Sequence, residues 1–166
     1  MNFLEQLVYE YYHHLNYVVI RNKRVGYRKE GGWTGELDIV AYDPSTHEVI
    51  HIECSNDNNS WEVREKNFKR KLDIGKKFIP DLFPYAKDKI QLKQKVLLGK
   101  LDTATVKEVG GGEVVPLKVF LDDATECVRC SYLLKSDGNL IVPEQYTILR
   151  TLYYAVKYSS DLFNDA

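Results

Sequence analysis

Two acidic residues, Asp38 and Glu53, stand in short segments that otherwise have the composition of half-buried β-strands. The segments cover residues 35–42 and 47–55, and both contain Val and Ile in alternation with other residues. Carboxylates that stand among apolar strand residues are often metal ligands, because hard divalent cations prefer oxygen ligands. Asp38 and Glu53 are therefore predicted to share one ion.

Turn-forming residues 43–46 separate the two segments, which predicts an antiparallel hairpin. Aligning the strands on that turn sets Asp38 opposite Glu53, and Glu36 opposite Ser55, on the same face of the sheet. Directly opposed residues have Cβ atoms roughly 4.5–5.5 Å apart. One cation can then reach both carboxylates.

Phosphodiester hydrolysis is a reaction that such a site can perform. It needs a water made nucleophilic at neutral pH and a cation that neutralises the phosphoryl oxygens. Mg²⁺, with Mn²⁺ as a substitute, keeps several of its waters, so Asp38, Glu53 and the backbone carbonyl of Cys54 suffice as ligands. Glu36 is a further candidate ligand or base, and Glu5 is a candidate catalytic residue that reaches the site from the first helix.

The elements predicted around this site are one helix, three strands, a second helix and a fourth strand. Apolar residues three and four apart predict the first helix over residues 3–15. The second helix is expected to begin near Asn59, with Glu62 completing a capping box, and to run to about Phe78 before Pro80. A short buried strand is predicted at residues 95–99. This order predicts an α/β fold, with a mixed central sheet flanked by helices.

The C-terminal part, residues 100–166, is predicted to extend this core. Its expected elements are a helical segment over 101–109, a glycine turn at 110–112, a strand over 114–121, a turn at 136–139 and a last helix from Pro143. The 166 residues are expected to form a single domain. The sequence shows neither an apolar membrane span nor a signal peptide, which predicts a cytoplasmic protein.

Three local patterns together resemble the PD-(D/E)XK nuclease superfamily, most closely the archaeal Holliday junction resolvases. They are Glu5 twelve residues before Tyr17, the segment Asp-Ile-Val-Ala at 38–41, and Val-Ile-His-Ile-Glu at 49–53. The resemblance covers about residues 3–99. It implies a restriction endonuclease-like αβββαβ core and a magnesium-dependent endonuclease that acts on DNA in repair, recombination or restriction. RNA remains open as a substrate, and a homodimer is possible.

The chain departs from this family at Ser55. The family's E-x-K motif falls on Glu53-Cys54-Ser55, so a hydroxyl stands where the family has a lysine. In some relatives a residue of the following helix takes that role, and the positions on the helical wheel favour Lys69, with Lys66 as the second choice. Ser55 also supports an alternative, an inactive member that binds nucleic acid or a protein partner. A structural or interaction domain is the third possibility.

Basic residues are concentrated in the middle of the chain. Residues 64–100 contain 12 Lys and Arg against 4 Asp and Glu. A basic patch beside a carboxylate pair suits a polyanionic substrate, although a solvated helix face would have the same composition. The predicted contacts with nucleic acid are Arg64, Lys66 and Arg70, together with Trp33, whose ring is a candidate for stacking on a base.

Overall fold

The computed structural model describes residues 2–100, 106–133 and 142–163. Within these residues the helices are α1 (Phe3–His14), α2 (Trp61–Leu82), α3 (Leu117–Leu133) and α4 (Thr147–Phe163). The strands are β1 (Val18–Tyr27), β2 (Trp33–Tyr42), β3 (Glu48–Ser55), β4 (Gln91–Leu98), β5 (Glu108–Val109) and β6 (Gly112–Pro116). They form one sheet in the order β1-β2-β3-β4-β6-β5. None of the described helices combines the length and apolar character that a membrane span requires.

The sheet is mixed, which confirms the predicted α/β class. β1, β2 and β3 are antiparallel neighbours, whereas β3 pairs in parallel with β4, and β4 with β6. The β2–β3 register pairs Ile39 with Ile52 and Tyr42 with Val49. This is the register predicted from the turn, and it sets Asp38 opposite Glu53.

Helices cover both faces of the sheet. On one face α1 packs with α3 and α4 over a core that includes Leu7, Ile52, Ala124 and Leu149. On the other face α2 contributes Phe68, Leu72 and Ile79 to two smaller cores. The sheet therefore lies between two helical layers. Helix α2 covers β2 and β3 on the face opposite α1, α3 and α4.

Helix α2 differs from its predicted bounds at both ends. Ser60 is the N-cap and accepts from the backbone N–H of Val63, so Asn59 is not the cap. The helix also continues through Pro80 to Leu82 instead of ending near Phe78. Ile79 is fully buried, and Leu82 packs against the same core, which explains why tertiary packing overrides the proline as a stop signal.

The C-terminal half contains the largest differences from the sequence predictions. The predicted strand over 114–121 ends at Pro116, where α3 begins, and this helix was not predicted. Residues 108–109 form β5 instead of the end of a helix, and α4 begins at Thr147 instead of Pro143. The glycine turn is confirmed, since Gly110 and Gly111 have φ of +60° and +84°. Residues 101–105 and the predicted turn at 136–139 lie outside the described residues.

A buried carboxylate joins α1 to α4. Glu10 on α1 is fully buried, and its Oε2 accepts hydrogen bonds of 2.9 Å from the backbone N–H groups of Ile148 and Leu149. These are N–H groups in the first turn of α4, which have no partner within their own helix. Glu10 therefore caps α4 from a different helix, and its negative charge also suits the positive end of the helix dipole.

We expect Glu10→Ala to lower the free energy of unfolding by about 3 kcal/mol, because it leaves one buried and one half-buried N–H group unpaired. Glu10→Gln retains an acceptor oxygen and is expected to lose less. Urea denaturation followed by circular dichroism measures both values. An equal loss for the two variants would show that the hydrogen bonds to α4 are not the source of the stabilisation.

Candidate active site

Asp38 lies where the β2–β3 ladder opens. The last paired residues at that end are Ile39 and Ile52. One step further, the backbone N–H of Cys54 donates to Asp38 Oδ2 over 3.0 Å, so a side-chain oxygen replaces a backbone acceptor. The β1–β2 pairing also skips Asp38, between the pairs Arg21–Ile39 and Lys23–Leu37, and Asn22 at the gap in β1 has φ of +50°. The carboxylate therefore points along a local break in the sheet.

Lys71 of α2 joins the two predicted carboxylates. Its Nζ lies 2.5 Å from Glu53 Oε2 and 3.4 Å from Asp38 Oδ2. The Glu53 side chain is fully buried, that of Asp38 is 13% exposed, and that of Lys71 is 34% exposed. The three groups thus form one cluster that reaches solvent through the lysine.

The structure places Lys71, and not Lys69 or Lys66, beside the acids. At ~100° per residue, Lys69 and Lys71 lie at about equal angles on opposite sides of Trp61 on the helical wheel. The wheel therefore could not distinguish them, because it does not show which side faces β2 and β3. Lys66 and Lys69 instead line a groove between α2 and the start of β2.

His51 holds Glu53 from the opposite side. His51 Nε2 lies 2.9 Å from Glu53 Oε1, and both side chains are fully buried. Gln94 Nε2 lies 2.8 Å from the carbonyl oxygen of Leu72 and 3.0 Å from His51 Nδ1. Because that amide donates to the Leu72 carbonyl, His51 Nδ1 is an acceptor, and the ring proton is on Nε2, directed at Glu53.

His51 and Gln94 were not predicted as parts of the site. His51 stands two residues before Glu53, so the alternation of the strand puts both on one face. That signal was present in the sequence. Gln94 comes from β4, and only the parallel pairing of His51 with Gln94 brings the two together.

The charges of the cluster are interdependent. Burial, and then the charge of Glu53, raises the pKa of Asp38 to about 7. Burial acts in the same direction on Glu53, but the hydrogen bond from His51 and the charge of Lys71 outweigh it and keep its pKa below the usual range. Burial opposes the charge of Lys71, yet Glu53 and Asp38 raise its pKa above the ordinary value. At neutral pH, Glu53 and Lys71 are ionised, and Asp38 is divided between its two forms.

The structure does not bring Glu36 to the carboxylate pair. Glu36 forms an ion pair with Arg24 over 3.3 Å, and both line an open cleft with Glu5. Leu37 and Val40 pack in the same core, whereas regular alternation would put them on opposite faces. The prediction that Glu36 shares the face of Asp38 fails because of this interruption at the break in the sheet.

Ser55 and Arg64 form a separate network around Asp57. Ser55 donates to Asp57, whose Oδ1 and backbone carbonyl accept from Arg64 Nε and Nη2, each over 2.9 Å. Arg64 is buried, and its guanidinium lies 5.0 Å from the ring centroid of Trp61. Arg64 thus fixes the connection from β3 to α2, a role that differs from the predicted contact with nucleic acid.

The other residues predicted to contact nucleic acid are accessible. Lys66 and Arg70 are exposed on α2, and Trp33 is exposed at the start of β2. Arg70 borders both the groove described above and a cleft of about 320 Å³ next to the cluster. This second cleft is also lined by Ser55, Asn67 and Lys71. Its polar lining suits a phosphodiester group.

The donor set fits a hard divalent cation with few protein ligands. Residues 2–100, 106–133 and 142–163 contain no group of three or more His, Cys, Asp or Glu placed to hold a metal. The predicted set has only two carboxylates, from Asp38 and Glu53, with the Cys54 carbonyl as a third oxygen. The position of Lys71 Nζ against both carboxylates shows that positive charge is stabilised between them. This matches Mg²⁺, which retains much of its water, better than Zn²⁺, which takes closed sets of protein ligands.

Comparison with protein-family models, with curated proteins and with solved structures finds no match for this chain. The resemblance to PD-(D/E)XK nucleases therefore stays a prediction from local residues. The functional assignment rests on the geometry and electrostatics of the site.

Gly75 lets the backbone of α2 pack directly against His51. A Cβ atom there would lie 2.3 Å from His51 Nδ1. Helix propensity alone predicts that Gly75→Ala stabilises the protein by about 1 kcal/mol. We expect a net loss of about 1–3 kcal/mol instead, because the buried ring has no space to move. Chemical denaturation measures this, with Asn67→Ala at an exposed position of the same helix as the control.

An increase in stability for Gly75→Ala would contradict the packing of α2 against His51. The control separates this effect from helix propensity. Asn67→Ala is expected to be neutral or slightly stabilising.

The raised pKa of Asp38 predicts a pH-dependent stability. Between its ordinary value of 3.8 and about 7, the folded state binds more protons than the unfolded state, so the stability attributable to Asp38 falls as the pH rises. We expect Asp38→Asn to be more stable than wild type at pH 8, this advantage to shrink by on the order of 2–3 kcal/mol between pH 8 and pH 5, and to vanish only below the ordinary value of 3.8. Urea unfolding without divalent cations tests this. A difference that does not vary with pH would contradict the raised pKa.

Proposed function

We propose that this chain is a cytoplasmic, metal-dependent nuclease that hydrolyses DNA phosphodiester bonds. The observation that supports it most strongly is the contact of Lys71 Nζ with the carboxylates of both Asp38 and Glu53. Two acids on adjacent strands can hold a cation, and one lysine can neutralise a phosphoryl oxygen, which suits metal-assisted phosphodiester hydrolysis. The local resemblance to PD-(D/E)XK nucleases points to the same chemistry.

Asp38, Glu53 and the backbone carbonyl of Cys54 are the groups that would hold the metal. When bound, Mg²⁺ or Mn²⁺ polarises a phosphoryl oxygen and makes a bound water more acidic. His51 fixes the orientation of the buried Glu53 carboxylate and favours its ionised form. Glu53 is thus prepared as a ligand before any cation arrives.

Lys71 is proposed to take the role of the lysine that Ser55 replaces. Its raised pKa keeps it protonated at neutral pH, so it serves as a positive hydrogen-bond donor and not as a base. It is also the most exposed member of the cluster. Its ammonium is therefore the group best placed to neutralise a phosphoryl oxygen as negative charge develops.

Arg70 extends this positive charge along α2. It borders the cleft that contains Lys71, and it is exposed. The amide of Asn67 lines the same cleft. These two side chains are suited to hold the phosphate groups next to the one that is cleaved.

The alternative is a protein of this architecture that binds nucleic acid without cutting it. Two observations support it. Lys71 already balances the negative charge of both carboxylates, and the described residues place no third carboxylate beside Asp38 and Glu53. It predicts DNA binding that weakens with salt, without cleavage in Mg²⁺ or Mn²⁺.

Nicking of a supercoiled plasmid and of single-stranded DNA, each in Mg²⁺ and in Mn²⁺, tests the proposal. We expect Asp38→Ala, Glu53→Gln and Lys71→Met each to lower the nicking rate at least about 100-fold, as removal of one charge-stabilising group does in other enzymes. Lys69→Met is the matched control, because it makes the same change on the same helix away from the acids. Its rate is expected to stay within about threefold of wild type, the size of a lost phosphate contact.

Circular dichroism and urea unfolding must first show that each variant is folded. Wild-type activity in folded Asp38→Ala or Lys71→Met would refute the assignment. A loss for Lys69→Met as large as that for Lys71→Met would refute the role of Lys71. Absence of cleavage by the wild type, with DNA binding retained, would favour the inactive alternative.

A further inference from the structure

An open groove of about 480 Å³ runs between α2 and the start of β2. We call it the α2 groove. Four exposed cations border it, and none of them forms an ion pair within the described part of the chain: Lys66, Lys69, Arg70 and Lys77. Asp73 is the one acidic residue among the lining side chains. The groove therefore has a strongly positive rim.

The floor of the α2 groove is apolar. Ile74 and Phe78, both half-buried, form it between the cations, and Lys77 Nζ lies 5.0 Å from the Phe78 ring centroid. A duplex presents phosphates outward and keeps its bases inside, so it gains nothing from an apolar floor. A single strand exposes base faces together with phosphates, and a positive groove with apolar or aromatic contacts suits that combination.

Two exposed aromatic rings lie at the end of the β1–β2 hairpin, whose Thr34 lines the groove. The side chains of Tyr27 and Trp33 are cross-strand partners, 70% and 44% exposed, with ring centroids 5.2 Å apart at an angle of 70°. Trp33 stands two residues before Gly35, where a Cβ atom would lie 2.8 Å from Ile74 of the groove floor, so the alternation of β2 puts Trp33 on the α2 side of the sheet. Arg28 and Lys29 follow Tyr27, so the rings also stand beside positive charge. Exposed rings among cations are the usual means of stacking on unpaired bases.

The groove and the cleft beside the candidate active site share Arg70 in their linings. Trp33 stands five positions before Asp38 on β2, which is about 17 Å at ~3.3 Å per residue. A strand with its scissile phosphate at Lys71 would therefore reach the two rings within a few nucleotides.

We propose that the α2 groove and the Tyr27–Trp33 pair bind unpaired bases, so that the substrate is single-stranded or partly unpaired DNA. The part of this inference that concerns cleavage rests on the proposed nuclease function. The binding part does not, because the groove and the rings are separate from the carboxylate pair.

Binding is measured by fluorescence anisotropy at low salt with EDTA present, using the Asp38→Asn variant to prevent cleavage. The probes are a labelled oligo-dT and a labelled duplex of the same length. We expect the single strand to bind about tenfold more tightly. Trp33→Ala and Tyr27→Ala should each weaken single-strand binding by about fivefold to 150-fold, the range for the loss of one stacked base, and change duplex binding less than about twofold.

Tyr85→Ala is the matched control, since Tyr85 is fully exposed in the short 3-10 turn Pro84–Ala86 that follows α2. It is expected to leave both affinities unchanged. As a second readout, Trp61→Phe makes Trp33 the only tryptophan of the chain. In this variant the fluorescence of Trp33 should be quenched by oligo-dT and not by the duplex.

The outcomes separate this inference from the proposed function. Equal affinity for the two probes, or Trp33→Ala and Tyr27→Ala variants that bind oligo-dT like the parent, would overturn the inference even if the wild type nicks plasmid DNA. Ring-dependent binding of oligo-dT by a wild type that cuts no DNA would uphold the binding inference and refute the nuclease.

Discussion

The ion pair between Lys71 and two carboxylates is the interaction on which the arrangement of the site depends. A fully buried carboxylate such as Glu53 costs several kcal/mol unless it is paired and hydrogen-bonded. Lys71 and His51 supply the two partners from opposite sides. Because Lys71 is on α2, this charge balance also fixes how that helix lies on the sheet, and Gly75 makes the close approach possible.

The break in the sheet at Asp38 opens the otherwise buried site to solvent. Regular pairing would direct the backbone groups of β2 and β3 at each other, whereas here Asp38 binds the Cys54 N–H and the strands separate beyond Ile39. The carboxylate pair therefore lies at the end of a closed ladder, and Lys71 and Arg70 face the opening. A buried, ordered acid next to an accessible positive surface is an arrangement suited to chemistry on a polyanion.

The sequence predicted the parts of the site that depend on local periodicity. The turn at residues 43–46 set the register that pairs Asp38 with Glu53, and a shift by one residue would expose the core. Lys71 could not be chosen over Lys69, because both lie equally far from the helix seam and only packing shows which side meets the sheet. Helix α3 was missed because strand-type Val and Phe residues after Pro116 resemble both a strand and the start of a helix over so short a run.

Anomalous diffraction from crystals soaked in Mn²⁺ tests the central claim most directly, since it locates the metal independently of activity. The account predicts a peak within bonding distance of the Asp38 and Glu53 carboxylates, with Lys71 Nζ displaced from its place between them. A map without a peak at that position, with Lys71 still in contact with both acids at saturating Mn²⁺, would contradict the assignment of these residues as a metal-dependent active site.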